Sequence, residues 1–311
     1  MKQKKFLKTA TPYMFIMPWI IGFLVFTIGP LILSLIMSFF DWPITSAPVF
    51  RGFGNYVEMF TSDKQFWKSL VISLKYAAIF VPLNMIIALF LAMLITQPVR
   101  GVKVFRTIFY IPAVISGVAV SIIWGWILNG DYGVLNYLLS LIGIEGPKWL
   151  VDPAWALLAV IIASAFGVGT MMLIFYTDIK NIPIDVYEAA SIDGAGPARK
   201  FFSITLPIIT PTILFNLITS IISSFQQVTL VMLLTGGGPL KSTYFYGLYT
   251  YNNAFKHHKL GYASANAWVM FIIILILTAL VFKSSSAWVF YETEARNGGA
   301  KKLKKKKGGK K

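Results

Sequence analysis

Six long apolar runs dominate this sequence and limit what it can fold into. A helix that crosses a membrane needs about 20 consecutive, mostly apolar residues. Only 13% of the residues are charged, whereas about 25% is usual for a soluble domain, so charges are too few to cover a water-facing surface. The sequence therefore predicts an all-α integral membrane protein with six transmembrane helices, approximately at residues 13–40, 69–96, 107–128, 153–177, 208–235 and 263–282.

The distribution of lysine and arginine predicts the orientation of these helices. Cytoplasmic segments of membrane proteins carry an excess of both residues. Here they are concentrated at the two ends of the chain, in MKQKKFLK and KKLKKKKGGKK. Both termini are therefore predicted to be cytoplasmic, and the net charge of +16 is explained without a nucleic-acid partner. The lysine tail fits either binding of anionic membrane lipid or a disordered, non-native end.

Hydropathy also gives the expected organisation of the chain. The first apolar run is too long for the core of a cleaved signal peptide, so we expect it to remain as a helix. With no cysteine in the sequence, disulfides are excluded. The predicted parts are a cytoplasmic tail at 1–12, the first transmembrane helix at 13–40, an outer loop at 41–68, a five-helix core at 69–283 with a cytoplasmic loop at 178–207, and a basic cytoplasmic tail at 284–311.

Ionisable residues are nearly excluded from the predicted spans. All 12 acidic residues lie outside them, whereas an ion-coupled carrier usually has a carboxylate within the membrane. The sequence therefore favours an energy source outside this chain. Lys75 is the one ionisable residue within a span. Its ammonium group either extends to the membrane surface or faces the pathway and pairs with an acidic solute.

Uncharged polar side chains recur along the fifth span. Ser220, Ser223, Ser224 and Gln227 follow one another at spacings that place them on one face of a helix. Such a stripe suits a solute that is rich in hydroxyl groups. Small polar residues also join membrane helices to one another, so spacing alone leaves both interpretations open.

No motif in the sequence predicts an enzyme or a metal site. GGGPLKST, at 236–243, is similar to a phosphate-binding loop but has Leu240 where the pattern requires glycine. His257 and His258 are adjacent, so on a regular element they would not converge on one metal ion. We therefore predict no catalytic residue, metal or cofactor in this chain.

A charged segment, EAASIDGAGPARKFFSITLP at 188–207, separates the fourth and fifth spans. Pro183 suits the first turn of a helix, with Asn181 as its candidate cap. Gly194 suits the left-handed residue that ends such a helix, and Pro197 begins a second short helix. The pattern predicts either a docking element for a cytoplasmic partner or an amphipathic loop at the membrane surface.

This segment resembles the coupling motif of binding-protein-dependent ABC importer permeases. The shared elements are Glu-Ala-Ala, a glycine six residues after the glutamate, and Ile-x-Leu-Pro. SIDGAGPARKFFSITLP, LLTGGGP at 233–239 and FGNYVEMFTSDKQFW at 53–67 are similar to the sugar-importer branch, of the maltose type. The resemblance extends over residues 12–285, most of the chain.

The resemblance implies a type I ABC importer transmembrane domain in a bacterial or archaeal cell membrane. Such a permease forms a heterodimer with a second, homologous permease. Two ABC ATPase subunits bind ATP and Mg²⁺, and an extracytoplasmic solute-binding protein delivers an oligosaccharide or related sugar for inward transport. Two alternatives remain: an ABC permease for another solute, such as phosphate, sulfate or a polyamine, and a secondary carrier outside the ABC class.

Two groups of functional residues follow from the resemblance. The substrate positions carry serines and a glutamine where the maltose pattern has asparagines and an aromatic residue, which predicts a different sugar at the same place. Residues expected to couple the permease to the ATPase are Glu188, Ala189, Ala190, Asp193, Gly194, Ile204, Leu206 and Pro207. Residues expected along the substrate pathway are Phe166, Gly167, Thr170, Ser220, Ser223, Ser224 and Gln227.

Overall fold

The structure, a computed structural model, describes residues 2–43, 46–97 and 101–290. Both lysine-rich ends, from which the orientation is predicted, fall outside this description: the tail from residue 291 and the side chains of residues 2–12. A short antiparallel ribbon pairs β1 (Phe40–Asp41) with β2 (Val49–Phe50). The α-helices are α1 Lys2–Phe23, α2 Gly29–Met37, α3 Gly54–Thr61, α4 Lys64–Thr96, α5 Val102–Val114, α6 Gly117–Ile127, α7 Val134–Leu141, α8 Pro153–Ala165, α9 Gly169–Asn181, α10 Ile184–Ile192, α11 Pro197–Lys200, α12 Leu206–Ile208, α13 Thr210–Phe225, α14 Thr229–Leu234, α15 Tyr246–Tyr251 and α16 Leu260–Ser285.

Three stretches of helix are each long and apolar enough to cross a membrane alone: Tyr13–Met37, Lys64–Thr96 and Leu260–Ser285. They correspond to the first, second and sixth predicted spans. A π-helical turn, Leu24–Ile28, continues α1 into α2. None of the most apolar stretch of this first span is buried within the chain, so its side chains are free to contact lipid.

The other three predicted spans are bent pairs of helices. The angles are 102° between α5 and α6, 51° between α8 and α9, and 67° between Pro197–Ile208 and α13. The structure thus has three candidate spans, or up to six if each bent pair counts as one. Helix is present in each of the predicted spans at 107–128, 153–177 and 208–235, but it is interrupted in all three.

A proline and a helix cap explain the break in the third span. Pro112 has no N–H to donate in the last turn of α5. Ile115 and Ser116 then adopt extended backbone conformations. The hydroxyl of Ser116 accepts a hydrogen bond from the N–H of Ala119 at 3.3 Å, so it caps a new helix, α6.

Close packing explains why the predicted fifth span is interrupted. α13 stops at Phe225, and residues 226–228 separate it from α14. Gly247 of α15 lies directly on this break. A Cβ atom at Gly247 would be 3.1 Å from the carbonyl oxygen of Phe225 and 2.9 Å from a methyl group of Val228.

The described chain divides into two compact units. The first extends to Lys68 and includes Tyr249–Ile272, and the second contains Ser69–Leu248 and continues from Ile273. Asp63 joins distant segments of the first unit. Its Oδ2 accepts hydrogen bonds from the hydroxyl groups of Tyr249 and Tyr262, and its Oδ1 accepts from the N–H groups that begin α4.

These contacts fix the ionisation of the Asp63 carboxyl. Burial alone would raise its pKa, but the hydroxyls of Tyr249 and Tyr262 and the backbone N–H groups of Phe66 and Gln65 hold its pKa below the ordinary value. Burial, and next the hydrogen bond to Asp63, raise the pKa of Tyr249, so this tyrosine keeps the proton that it donates.

Replacing Asp63 with asparagine is expected to lower the free energy of unfolding by about 1.5–3 kcal/mol, the usual contribution of hydrogen bonds to a charged group. Because the folded pKa is lowered, the carboxylate stabilises fully above its ordinary pKa, and this contribution is lost as the pH falls through the lowered value. Thermal unfolding of the detergent-purified protein, measured from neutral to acidic pH, checks this pH dependence.

Asp152 provides the matched control for this prediction. It caps α8 by accepting a hydrogen bond from the N–H of Ala154 at 2.9 Å, and asparagine is an equally good cap. Asp152→Asn is therefore expected to change stability little. Equal destabilisation by the two substitutions would contradict the role given to the tyrosine contacts of Asp63.

Two apolar clusters hold the second unit together, and they fix the relative direction of two helices. The first half of α4 packs with the later part of α13 and with α14 and α15. The second half of α4 packs with α9 and with the beginning of α13. α4 and α13 therefore run in opposite directions along each other.

Candidate functional site

A cavity of about 460 Å³ lies in the second unit, between α4, α13 and the break that separates α8 from α9. Its walls combine aromatic and aliphatic side chains with hydroxyl and amide groups, and all of these side chains are uncharged. The lining residues are Tyr76, Phe80, Asn84, Ser164, Gly167, Thr170, Met171, Ile174, Phe215, Asn216, Thr219, Ser220, Ser223, Ser224 and Gln227.

Six of the seven predicted pathway residues line this one cavity: Gly167, Thr170, Ser220, Ser223, Ser224 and Gln227. Phe166 is not among the lining residues. Its ring packs edge to face against Trp124, with centroids 5.7 Å apart. The expected single helical stripe is not observed, because Gln227 lies beyond the end of α13 and reaches the cavity from the break that follows.

Several hydroxyl groups of the cavity are held by hydrogen bonds within the protein. Tyr76 donates to the hydroxyl of Ser164 at 2.9 Å. Ser223 and Ser224 donate to carbonyl oxygens of their own helix, at 3.1 and 2.7 Å. A hydroxyl that donates in this way retains lone pairs that can accept another hydrogen bond. The site can therefore bind a neutral solute whose hydroxyl groups act as donors.

Sequence reasoning missed the contribution of α4 to the cavity. Tyr76, Phe80 and Asn84 are spaced by four residues and share one helical face. The sequence carried a signal for this contribution, since Tyr76 and Asn84 are polar residues within the second apolar run. Lys75 lies on the same helix but is exposed and is not among the residues that line the cavity.

Two further cavities adjoin the first. One of about 240 Å³ shares Ser164, Gly167, Thr170 and Gln227 with it and extends to the break between α5 and α6. Another of about 420 Å³ shares Thr170 and Ile174 and extends to Asp178. The bends of the third and fourth spans thus border three neighbouring cavities.

The charged segment after α9 folds largely as its local sequence predicts. α10 contains Glu188, Ala189 and Ala190, and both Glu188 and Ala189 are exposed. Asp193 is the C-cap, and Gly194 has a φ of +74°, which confirms its predicted left-handed conformation. The predicted cap Asn181 is wrong, because it is the last residue of α9 and Pro183 precedes α10.

Two side-chain hydrogen bonds tie α10 to the segment that follows it. The hydroxyl groups of Tyr187 and Thr205 are 2.8 Å apart, and Lys200 donates to the hydroxyl of Ser191 at 2.6 Å. Ile204, in the π-helical turn Phe201–Thr205, packs against the cluster around α9. Leu206 and Pro207 continue into α12. These contacts therefore attach α10, whose other face is exposed, to the packed interior of the protein.

The loop at 236–243 does not have the arrangement of a phosphate-binding loop. Thr243 is buried and donates its hydroxyl proton to the carbonyl oxygen of Gly238 at 2.7 Å, so this side chain faces the protein. Within the described residues, no group of three or more His, Asp or Glu side chains is arranged to hold a metal ion.

Comparison with known proteins identifies the family. Residues 84–290 match the family described as "Binding-protein-dependent transport system inner membrane component". The probable ABC transporter permease protein YesP of Bacillus subtilis is 44% identical over 286 residues, which are 91% of this chain and 92% of the relative. The lactose transport system permease protein LacF of Rhizobium radiobacter is 34% identical over 277 residues, with 87% and 92% covered.

A solved structure has the same fold. A chain of the bacterial alginate ABC transporter, determined in complex with an alginate pentasaccharide-bound periplasmic protein, superposes with a TM-score of 0.79. It is 25% identical, and the match covers 90% of this chain and 96% of that chain. The resemblance inferred from the coupling motif is confirmed. This membrane-spanning chain belongs to the family of binding-protein-dependent transport system inner membrane components and is an ABC importer permease.

Proposed function

We propose that this permease moves an oligosaccharide or a related sugar into the cell through the cavity between α4 and α13. The observation that carries the proposal is the lining of that cavity, which combines apolar and aromatic surface with uncharged hydroxyl and amide groups. Apolar walls with a few directed polar groups are typical of small-molecule sites. Energy comes from the hydrolysis of ATP, which binds together with Mg²⁺ to two separate ATPase subunits.

The proposed topology has six spans, each bent pair of helices counting as one, and both termini in the cytoplasm. α10 then lies on the cytoplasmic side as a coupling helix. Its exposed Glu188, together with Ile184 and Ile192, whose side chains are 69% and 87% exposed, forms the face that contacts an ATPase subunit. A second, homologous permease completes the pathway, and a solute-binding protein delivers the sugar from outside.

The alternative solutes are less well supported by the site. Phosphate, sulfate or a polyamine would favour ionic partners, whereas the described cavity is lined by neutral side chains. Family membership also disfavours a secondary carrier outside the ABC class. The contact of Lys75 with an acidic sugar gains no support from its exposed position outside the cavity.

Purification of the chain from its native membrane under mild conditions tests the proposed assembly. A second permease, an ATPase and a solute-binding protein should be recovered with it, and mass spectrometry of the solute held by the binding protein identifies the sugar. Recovery of this chain without an ATPase would contradict the assembly. A non-sugar solute on the binding protein would contradict the substrate class.

Replacing Gln227 with alanine is expected to reduce substrate-stimulated ATPase activity of the assembled importer by about three- to tenfold, because one hydrogen bond to the sugar is lost. The measurement is ATP hydrolysis by the reconstituted complex with and without sugar-loaded binding protein. Gln226→Ala is the matched control, since Gln226 is exposed and does not line the cavity. An unchanged response to substrate in Gln227→Ala would indicate that this residue only packs the helices.

A further inference from the structure

The neighbouring cavity of about 420 Å³, which we call the Asp178 cavity, is lined by a carboxylate, whereas the main cavity between α4 and α13 is lined by uncharged side chains. Oδ2 of Asp178 in α9 accepts a hydrogen bond from the hydroxyl of Thr212 in α13 at 2.6 Å. Both residues line the Asp178 cavity. Within the described residues, Oδ1 of Asp178 makes no hydrogen bond, and it is not among the buried atoms that lack a partner. This oxygen is therefore accessible and free to accept from a bound molecule.

The other groups that line the Asp178 cavity suit a sugar. Thr177 and Asn181 of α9 contribute a hydroxyl and an amide, which both donate and accept hydrogen bonds. Tyr110 of α5 contributes an exposed aromatic ring, whose faces are apolar. A sugar presents the matching combination, with hydroxyl groups around its edge and C–H groups on its faces. Carboxylate oxygens accept from two donors at once, so Asp178 suits two adjacent hydroxyl groups of one sugar.

One face of α9 leads from the main cavity to the Asp178 cavity. Thr170 and Ile174 line both cavities. Thr177, Asp178 and Asn181 then follow at spacings of three or four residues, which places them on the same side of the helix. From the first to the last of these residues the helix rises by about 16 Å. Because α9 leads into α10, the proposed coupling helix, the Asp178 cavity lies on the cytoplasmic side of the main cavity in the proposed topology.

We propose that the Asp178 cavity is a second sugar-binding site, which the sugar occupies after it leaves the main cavity and before it enters the cytoplasm. Two adjacent hydroxyl groups of the sugar donate to the carboxylate of Asp178. Hydrogen bonds to an ionised acceptor are about twice as strong as those between neutral groups, so this residue carries the recognition. The inference rests on the proposed function and adds to it a site on the cytoplasmic side and the residue that binds the sugar there.

Thr177→Cys places a reporter thiol in the Asp178 cavity. The chain has no cysteine of its own, and Thr177 is exposed, with its hydroxyl donating to the carbonyl oxygen of Leu173 in the same helix at 2.9 Å. The complete importer with this change is reconstituted in liposomes with its binding protein, and uptake of lactose, maltose and alginate pentasaccharide is measured. The same complex in nanodiscs is then treated with a maleimide, with and without each sugar, and modification is followed by the mass of this chain.

A sugar that the complex imports is expected to slow the modification of this thiol. Adding Asp178→Asn should raise the concentration of sugar that gives half of the protection by about tenfold, because the acceptor loses its charge. The asparagine keeps an oxygen that can accept from Thr212, so the variant should fold. Gln227→Ala is the control in the main cavity and should leave the half-protecting concentration unchanged.

Three results would overturn the second site alone. The first is the absence of protection by a sugar that the complex imports. The second is an equal half-protecting concentration with and without Asp178→Asn. The third is an effect of Gln227→Ala as large as that of Asp178→Asn, because the thiol would then report on the main cavity. A complex that imports none of the three sugars would overturn the proposed function and this inference together.

Discussion

Replacing Glu188 with lysine is expected to reduce sugar uptake to less than about a tenth of the wild-type rate. Glu188 lies on the exposed face of α10, the face that we assign to the ATPase. Reversal of a charge at such a contact costs several kcal/mol, enough to separate ATP hydrolysis from transport. Uptake and ATPase activity of the reconstituted complex are measured side by side, together with the amount of protein in the membrane.

The same variant should insert into the membrane normally, because an exposed side chain is replaced on a helix surface. Glu145→Lys makes the same change of charge at an exposed position in the loop after α7 and should leave uptake intact. Wild-type uptake by Glu188→Lys would rule out the coupling role. Loss of the protein from the membrane would assign Glu188 a role in folding instead.

Replacing Gly169 with alanine is expected to destabilise the second unit by about 3 kcal/mol, the upper end of the usual cost of overpacking. Gly169 begins α9 where this helix touches α5. A Cβ atom there would lie 2.3 Å from the carbonyl oxygen of Phe109 and 2.8 Å from the Cα atom of Tyr110. Both are backbone atoms, so no side chain can rotate to make room. Thermal unfolding in detergent measures the loss.

Gly125 of α6 offers a matched control. A Cβ atom at Gly125 would meet only a methyl group of Leu234, at the ordinary distance of 3.9 Å. Gly125→Ala should therefore leave stability unchanged or raise it by up to about 1 kcal/mol, since alanine favours the helix more than glycine does. Equal melting temperatures for the two alanine variants would show that α5 and α9 can separate without cost.

Hydropathy predicted the positions of the long helices well, because the length of an apolar run is a local property of the sequence. The second span, predicted at 69–96, falls within α4, and the sixth, predicted at 263–282, falls within α16. The turn at Gly194 was also predictable, since a single residue type meets its conformational requirement. Each of these features depends on neighbours in the sequence.

The breaks were not predictable from hydropathy, because they depend on contacts between distant residues. Glycine is required at position 169 because the backbone of α5 packs directly against it, and at position 247 because the end of α13 does. The same holds for the cavity. The serines of α13 were identified as a polar stripe, but the part played by Tyr76 and Asn84 depends on which face of α4 meets α13. A single sequence does not contain that pairing.

The neutrality of the cavity lining has an electrical consequence. Moving one elementary charge across the membrane changes its energy by about 2.3 kcal/mol for each 100 mV of potential. The side chains that line the described cavity carry no charge, and neither does a neutral sugar. Membrane voltage therefore neither drives nor opposes the movement of a neutral sugar past these side chains.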